Sequence, residues 1–309
     1  MKVLTLSVIL ILSSFMFYAG KTDKNQAQSN SSITGSAIMV PFLLSGSERI
    51  SQQEAAPRME IYKTVGDVKV YLYIFTPPDL KTGDKRPAIV FFHGGGWKSN
   101  PTAAPSNFRN QCEYLITRGM VAIDAQYRGL PDFTISNCIS DTQSAIRWVR
   151  ANAGRLGIDP NRIAAAGGSA GGHLAACTAT LAALSENGED TTISCIPNAL
   201  VLFNPAVFIT SVRSLPEHNI RPGLPPTIIL HGKEDKTVPY AAVEEFALAM
   251  KKAGNRCELI GFEGAGHGFF NWNNSKIPDN LKFYVETLRD ADRFLASLGW
   301  IMGEPTIAH

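Results

Sequence analysis

The chain has little cysteine and little excess charge, and both shortages exclude classes of protein. Five cysteines in 309 residues are too few for a scaffold held together by disulfides. Lysine plus arginine total 29 and aspartate plus glutamate total 27, which leaves a net charge of +2. This balance argues against a nucleic-acid partner and against a stable membrane partner. No segment repeats at a period of about 20–50 residues, which excludes a solenoid or a propeller.

The N-terminus has the pattern of an export signal. Lys2 precedes an uncharged apolar run from Val3 to Gly20, and this order is typical of a secretory signal peptide. We therefore expect residues 1–20 to be a signal peptide and the protein to be exported, to the periplasm or the cell exterior. A retained membrane anchor and a misassigned start are the alternatives. The polar composition after residue 20 predicts a flexible segment over 21–57, followed by one folded domain over 58–309.

From Met59 onward, short β-rich runs alternate with helical patterns. Residues 59–64 and 68–76 predict an antiparallel hairpin, and the wholly apolar run 88–92 predicts a central parallel strand. Further strands are predicted over 120–125, 162–167, 199–203, 226–230 and 257–262, and helices over 106–118, 138–153, 170–184, 240–253 and 278–297. This alternation predicts an α/β fold with a mostly parallel, eight-stranded sheet and helices on both faces.

One turn carries a candidate nucleophile. Gly167-Gly168-Ser169-Ala170-Gly171 matches G-x-S-x-G, with a predicted strand before it and a predicted helix after it. An ordinary glycine-rich turn and a phosphate-binding turn are the alternatives, but no complete G-x-G-x-x-G or Walker pattern is present. We therefore predict that Ser169 is a nucleophile at the carboxyl end of its strand.

A second glycine run supplies candidate oxyanion donors. His93-Gly94-Gly95-Gly96-Trp97 directly follows the predicted strand 88–92. Backbone N–H groups aimed at a developing negative charge stabilise it, and glycines allow the backbone to come close. We predict that Gly95 and Gly96 donate together with Ala170, the residue after the nucleophile. His93 is interpreted as a structural orienter of this loop.

A serine nucleophile needs a base, and the base needs an orienting carboxylate. Of the six histidines, His267 lies in a glycine-rich loop after the last predicted strand and is the predicted base. His173 lies four residues after Ser169 on one helix and should point away from the hydroxyl. Asp235 follows the predicted strand 226–230 and is the predicted acid, with Glu234 as the weaker candidate. No residue cluster has the spacing of metal ligands, so no metal is predicted.

With these residues, the sequence resembles the α/β-hydrolase superfamily, and most closely its hormone-sensitive-lipase-like esterases and bacterial acetyl-xylan or feruloyl esterases. The resemblance covers roughly residues 58–298. It is carried by the two glycine motifs, Tyr127-Arg128, Gly157-Ile158-Asp159-Pro160, the Asp235 loop and Gly266-His267-Gly268-Phe269. It implies that 58–309 is the catalytic domain of a serine ester hydrolase that needs no cofactor.

The chain departs from the hormone-sensitive-lipase-like pattern in its minimal cap. Residues 21–57 are too polar and too short for a full cap, and the insert near 204–225 is short. An open, polar-rimmed site suits a small acyl group on a bulky polar alcohol, such as an acetylated saccharide. The alternatives are a lipase-like carboxylesterase, a feruloyl esterase, a serine peptidase of the same superfamily and a non-catalytic binding protein.

Smaller features carry further expectations. Arg128 is expected to brace loops, and Asp141 to support the N-terminus of the helix 138–153. Cys177 and Cys195 bracket one helix and its return loop and could form a disulfide. Four aromatic residues could form a stacking platform for a sugar ring or could instead pack in the core: Trp97, Phe269, Phe270 and Trp272.

Overall fold

The computed structural model describes residues 56–99, 107–184, 186, 188–208, 218–272 and 279–307. The expected signal peptide, and all but the end of the expected segment 21–57, lie outside the described residues. Among the helices of the described ranges, none is long and apolar enough to cross a bilayer.

The described residues form one eight-stranded sheet in the order β1-β2-β4-β3-β5-β6-β7-β8. The β1–β2 and β2–β4 pairs are antiparallel and the other five are parallel, as the sequence predicts. The strands are β1 (Arg58–Val65), β2 (Val68–Phe75), β3 (Arg86–Phe92), β4 (Val121–Ala125), β5 (Ile158–Gly168), β6 (Ala199–Phe203), β7 (Thr227–Gly232) and β8 (Cys257–Phe262). The helices are α1 (Arg109–Thr117), α2 (Ile135–Ala151), α3 (Ala153–Leu156), α4 (Ala170–Thr180), α5 (Tyr240–Lys252) and α6 (Asn280–Ser297).

The sheet separates two apolar cores. One core contains side chains of α2, α4 and α5, and the other contains side chains of α1 and α6. Strands covered on both faces must be apolar on both sides, and the six residues after Arg86 in β3 are all buried. The predicted fold class, with helices on both faces, is therefore confirmed. The carboxyl ends of the parallel strands meet at one edge, where the site residues lie.

Two predicted helix boundaries are wrong for local reasons. Helix α2 begins at Ile135, because Thr134 and Asn137 form a reciprocal capping box in which each side chain accepts the other's backbone N–H. Ser136 and Asn137, which precede the predicted start at residue 138, therefore lie inside the first turn. Helix α4 ends at Thr180, because Gln143 of α2 binds the backbone of the next residues, Ala182 and Leu184.

The disulfide that Cys177 and Cys195 could have formed is not present. All five cysteines are free and buried. The Cys177 Sγ lies 3.4 Å from His173 Nε2 within α4, so the thiol is directed along its own helix.

Candidate active site

Ser169 lies in a strained turn between β5 and α4. Its φ of 54° and ψ of −119° are unfavourable for a residue with a side chain, at a cost of about 1–3 kcal/mol. Phe203 at the end of β6 accepts the Ser169 N–H at 3.0 Å, and the Ser169 carbonyl accepts the N–H groups of His173 and Ala206. Glycine is required nearby, since a Cβ at Gly171 would lie 2.0 Å from the Phe92 carbonyl oxygen.

The structure brings Ser169, His267 and Asp235 into one hydrogen-bonded series. The Ser169 Oγ donates to His267 Nε2 at 2.9 Å, and His267 Nδ1 donates to Asp235 Oδ2 at 2.7 Å. The Asp235 side chain is fully buried, whereas the His267 side chain is 25% exposed. The imidazole can therefore accept a proton from the hydroxyl while the carboxylate stabilises the resulting charge.

Backbone donors hold Asp235 in its ionised form. Its Oδ1 accepts the N–H groups of Thr237 at 2.8 Å and Val238 at 2.9 Å. Burial alone would raise the pKa of the Asp235 carboxyl, but the hydrogen bonds from His267, Val238 and Thr237 outweigh it and lower that pKa. The weaker candidate, Glu234, is exposed.

His231 supports the Asp235 loop from the core. Its Nε2 donates to the Val238 carbonyl at 2.9 Å and lies 3.5 Å from Asp235 Oδ2. Burial lowers the pKa of His231, which favours the neutral imidazole. The side chain thus contributes a hydrogen-bond donor to the loop without placing a second cation beside the carboxylate.

The predicted oxyanion loop lies against the nucleophile turn. A Cβ on Gly94 would come within 3.0 Å of the Gly168 carbonyl oxygen. Gly95 and Gly96 have φ values of 111° and 64°, which glycine tolerates and other residues rarely adopt. Within the described part of the chain, no group accepts the N–H of Gly95, Gly96 or Ala170. These three donors are therefore available to a substrate oxygen.

His93 anchors this loop and does not contact Ser169. Its ring stacks on Tyr127 with centroids 4.3 Å apart, and its Nε2 lies 3.1 Å from the Ser99 hydroxyl. Tyr127 also donates to the His93 carbonyl at 2.9 Å. Burial lowers the pKa of His93. These contacts agree with the predicted orienting role.

Asp141 does not lie at the N-terminus of its helix, where it was predicted. Because α2 begins at Ile135, Asp141 lies within the helix, fully buried. Its carboxylate accepts the Arg128 Nε at 2.8 Å, the Arg128 Nη2 at 2.7 Å and the Arg128 backbone N–H at 2.9 Å. Lys63 lies 3.0 Å from the same carboxylate. Arg128 thus braces the end of β4, as predicted, and Asp141 is its partner.

A cavity of about 780 Å³ borders this ion network and contains none of the predicted catalytic residues. Its walls include Lys63 and Arg147, which pair with Glu189 at 3.0 and 2.5 Å. Glu186 lies 3.3 Å from Lys63. Lys63 and Arg147 are thus compensated by the carboxylates of Glu186 and Glu189.

Of the two interpretations of the four aromatic residues, the sugar-stacking platform does not hold. Phe269 and Phe270 are buried in the core, and a Cβ at Gly168 would lie 2.3 Å from the Phe270 ring. Trp272 packs edge-on against Tyr284. The alternative interpretation, core packing, holds for the two phenylalanines, and Phe270 lies against the nucleophile turn.

The sequence analysis missed Asn204, which positions the His267 loop. Asn204 is buried and has a φ of 31°. Its Oδ1 accepts the N–H of Gly268 at 3.0 Å, and its own N–H donates to Leu230 at the end of β7. The available signal was an amide residue, followed by Pro205, at the end of the wholly apolar strand β6.

Comparisons with known proteins match the chain to two families and to solved esterases. The BD-FAE family matches residues 72–201, and the prolyl oligopeptidase family matches residues 204–291. A solved esterase from Thermogutta terrifontis with bound propionate is 46% identical, with a TM-score of 0.75 over 82% of this chain and 98% of that chain. The chain belongs to the serine esterases of the α/β-hydrolase superfamily.

A second solved structure from T. terrifontis and a curated relative also match this serine esterase. Esterase 2 of T. terrifontis phosphorylated by paraoxon is 48% identical, with a TM-score of 0.75 over 84% of this chain and 100% of that chain. A probable isoprenylcysteine alpha-carbonyl methylesterase from Oryza sativa subsp. japonica is 30% identical over 63% of this chain and 54% of the relative. The chain spans about half the length of the curated relatives it matches. Membership confirms the predicted superfamily and its class of carboxylic ester hydrolases.

Proposed function

We propose that this serine esterase is exported and removes short acyl groups, with acetyl groups on a carbohydrate as its natural substrate. The observation that carries the proposal is the hydrogen-bonded series from Ser169 through His267 to Asp235. A serine hydroxyl, an imidazole and a buried carboxylate in this order form the machinery of acyl transfer through an acyl-enzyme.

The reaction follows from the proton positions. The Ser169 Oγ attacks the ester carbonyl carbon as its proton passes to His267 Nε2. The oxygen becomes negatively charged and accepts the N–H groups of Gly95, Gly96 and Ala170. The bond to the alcohol breaks as His267 returns the proton to the leaving oxygen. Water then attacks the acyl-enzyme, giving its proton to His267, and Ser169 leaves with that proton.

Three observations support a small acyl group and a bulky alcohol. The T. terrifontis relative holds propionate, a short-chain acid. Gly95 and Gly96 are exposed and Ser169 is partly exposed, so a large alcohol can approach. The described residues between β6 and β7, 204–208 and 218–226, contain no helix, in line with the minimal cap. The polar alcohol and the export rest on the sequence pattern.

The first test compares initial hydrolysis rates of p-nitrophenyl acetate, butyrate and octanoate, with Ser169→Ala as the blank. We expect the hydrolysis rate to fall steeply from the acetate to the octanoate ester. In a second assay, we expect the enzyme to release acetate from acetylated xylan. A preference for octanoate would indicate a lipase-like carboxylesterase, and a preference for feruloyl over acetyl sugars would indicate a feruloyl esterase. Rates no higher than the blank, together with no labelling by a fluorophosphonate probe, would indicate a binding protein.

A serine peptidase is the second candidate, because the prolyl oligopeptidase family matches residues 204–291. Because the same triad can cleave an amide, the two candidates, esterase and peptidase, are distinguished by the leaving group that each accepts. We expect turnover of p-nitrophenyl acetate and none of a proline p-nitroanilide peptide. Comparable turnover of both would favour the peptidase.

A further inference from the structure

A second cluster of chemically capable side chains lies one turn beyond the nucleophile. His173 and Cys177 of α4 and His218 are all buried, and one nitrogen or sulfur atom of each lies within 4.8 Å of those of the other two. None of them takes part in the Ser169–His267–Asp235 series. The rings of His173 and His218 meet edge to face, with centroids 5.4 Å apart.

The proton of His173 can be placed from its neighbours. The Trp97 indole has only a donor, and its Nε1 lies 3.2 Å from His173 Nδ1, so Nδ1 must be the acceptor. Burial lowers the pKa of His173 to about 3, so the ring is neutral near pH 7. Its single proton is then on Nε2, which faces the Cys177 Sγ at 3.4 Å.

The proton of His218 can be placed in the same way. The Thr180 hydroxyl donates to the Ala176 carbonyl at 2.9 Å, so it accepts from His218 Nδ1 at 2.7 Å. Burial lowers the pKa of His218 to about 4. Its Nε2 is then an unprotonated acceptor, and no described atom donates to it.

This proton arrangement conflicts with a resident metal. A metal can bind His173 Nε2 only through a free lone pair, but this nitrogen is protonated. Moving this proton to Nδ1 would set it against the Trp97 N–H, which breaks the contact between them. The cluster is therefore better described as a group of buried, neutral side chains in which His173 Nδ1 accepts the Trp97 N–H.

We propose that His173 is a positioning residue for the oxyanion hole, acting through Trp97. Trp97 directly follows Gly95 and Gly96 and itself has a φ of 60°, which is unfavourable for a bulky residue. Its backbone carbonyl is held by the Leu130 N–H at 2.8 Å, and its side chain is held by His173. The hydrogen bond from Trp97 to His173 thus joins two elements. One is the loop that carries two oxyanion-hole donors, and the other is helix α4, which carries the third donor, Ala170. This inference rests on the proposed function.

The test compares His173→Leu with His173→Asn. Leucine removes the acceptor, whereas the asparagine amide oxygen lies close to where Nδ1 was. We expect His173→Leu to lower kcat on p-nitrophenyl acetate about 10-fold, less than the roughly 10²–10³-fold loss of a whole donor, with little change in KM. His173→Asn should recover most of this loss.

Two further variants separate positioning from general damage. Trp97→Phe should match His173→Leu, and the double variant should lose no more than either, because both remove one hydrogen bond. Thr180→Val breaks a buried hydrogen bond at the other end of the cluster and should leave kcat within about 2-fold. Additive losses, or an equal loss in Thr180→Val, would overturn the proposal.

A measurement independent of activity keeps the two proposals distinguishable. The NMR signal of the Trp97 indole N–H can be assigned by its absence in Trp97→Phe. This signal should shift in His173→Leu and stay in place in Thr180→Val. If the wild type is no faster than the Ser169→Ala blank, the proposed function fails, and this spectrum alone still tests the contact. An unmoved resonance, or stoichiometric Zn²⁺ uptake that requires Cys177, would overturn the assignment.

Discussion

The Asn204 Oδ1 lies 3.0 Å from the backbone nitrogen of Gly268, the residue that follows His267. This contact joins the end of β6 to the loop that carries the base. A hydrogen bond that is accepted by a fully buried side chain restrains the loop more firmly than an exposed one, because water does not compete for it.

Replacing Asn204 should therefore slow the reaction without touching the reacting atoms. We expect Asn204→Ala to lower kcat on p-nitrophenyl acetate about 10- to 100-fold, the range produced by a misplacement of about 1 Å. Asn204→Asp keeps an oxygen acceptor and is the matched control, which should lose less. Equal rates in Asn204→Ala and the wild type would contradict the anchoring role.

Asp235 should matter through the tautomer that it enforces. Asp235→Asn can donate to His267 Nδ1, which moves the imidazole proton to Nε2 and removes the acceptor for Ser169. We expect kcat to fall by about 10⁴-fold at neutral pH, measured with p-nitrophenyl acetate against the Ser169→Ala blank. Glu234→Gln, an exposed neighbour, should leave kcat unchanged. A loss shared by both variants would contradict the assignment of the acid.

The fold and the main site residues could be predicted because their signals are local. The two glycine motifs occur directly after apolar runs, and the order Ser169, Asp235, His267 places each residue after a different strand. Parallel strands end at one edge of a sheet, so residues that follow them must come close together.

The residues whose roles were left open or misplaced depend on side-chain contacts that neither hydropathy nor motif spacing shows. The partner of Asp141 is Arg128, 13 residues away, and the burial of Phe270 depends on the closeness of Gly168. Cys177 pairs with His173 rather than with Cys195 because helical spacing places residues i and i+4 on one face. Hydropathy and motif spacing carry no information about such side-chain directions.

Asp141 should contribute strongly to stability because two cations depend on it. Asp141→Asn leaves the buried charges of Arg128 and Lys63 undercompensated, and breaking a buried pair costs about 3–5 kcal/mol. We expect the free energy of unfolding in urea to fall by about this amount. Glu113→Gln, which breaks the exposed pair with Arg109, is the control and should cost less than about 1 kcal/mol. Similar losses in both would show that burial does not set the strength of the pair.

Asp124 should make stability fall with rising pH. It lies in β4 between Tyr73 and Phe91 and is 1% exposed. Neither of its carboxyl oxygens has a hydrogen-bond partner among the described residues. Burial raises the pKa of Asp124 from 3.8 to about 8. Between these values the native state keeps a proton that the unfolded state has lost, so this group lowers stability by about 1.4 kcal/mol per pH unit.

Asp124→Asn carries no such proton, so its Tm relative to the wild type should rise from pH 5 to pH 8 and level off above. We would measure Tm by circular dichroism across this range. The exposed Asp67→Asn is the control, and its Tm difference should stay constant. The same constancy in Asp124→Asn would mean that the Asp124 carboxyl is ionised in the folded protein, which would require a donor or water beside it in the core.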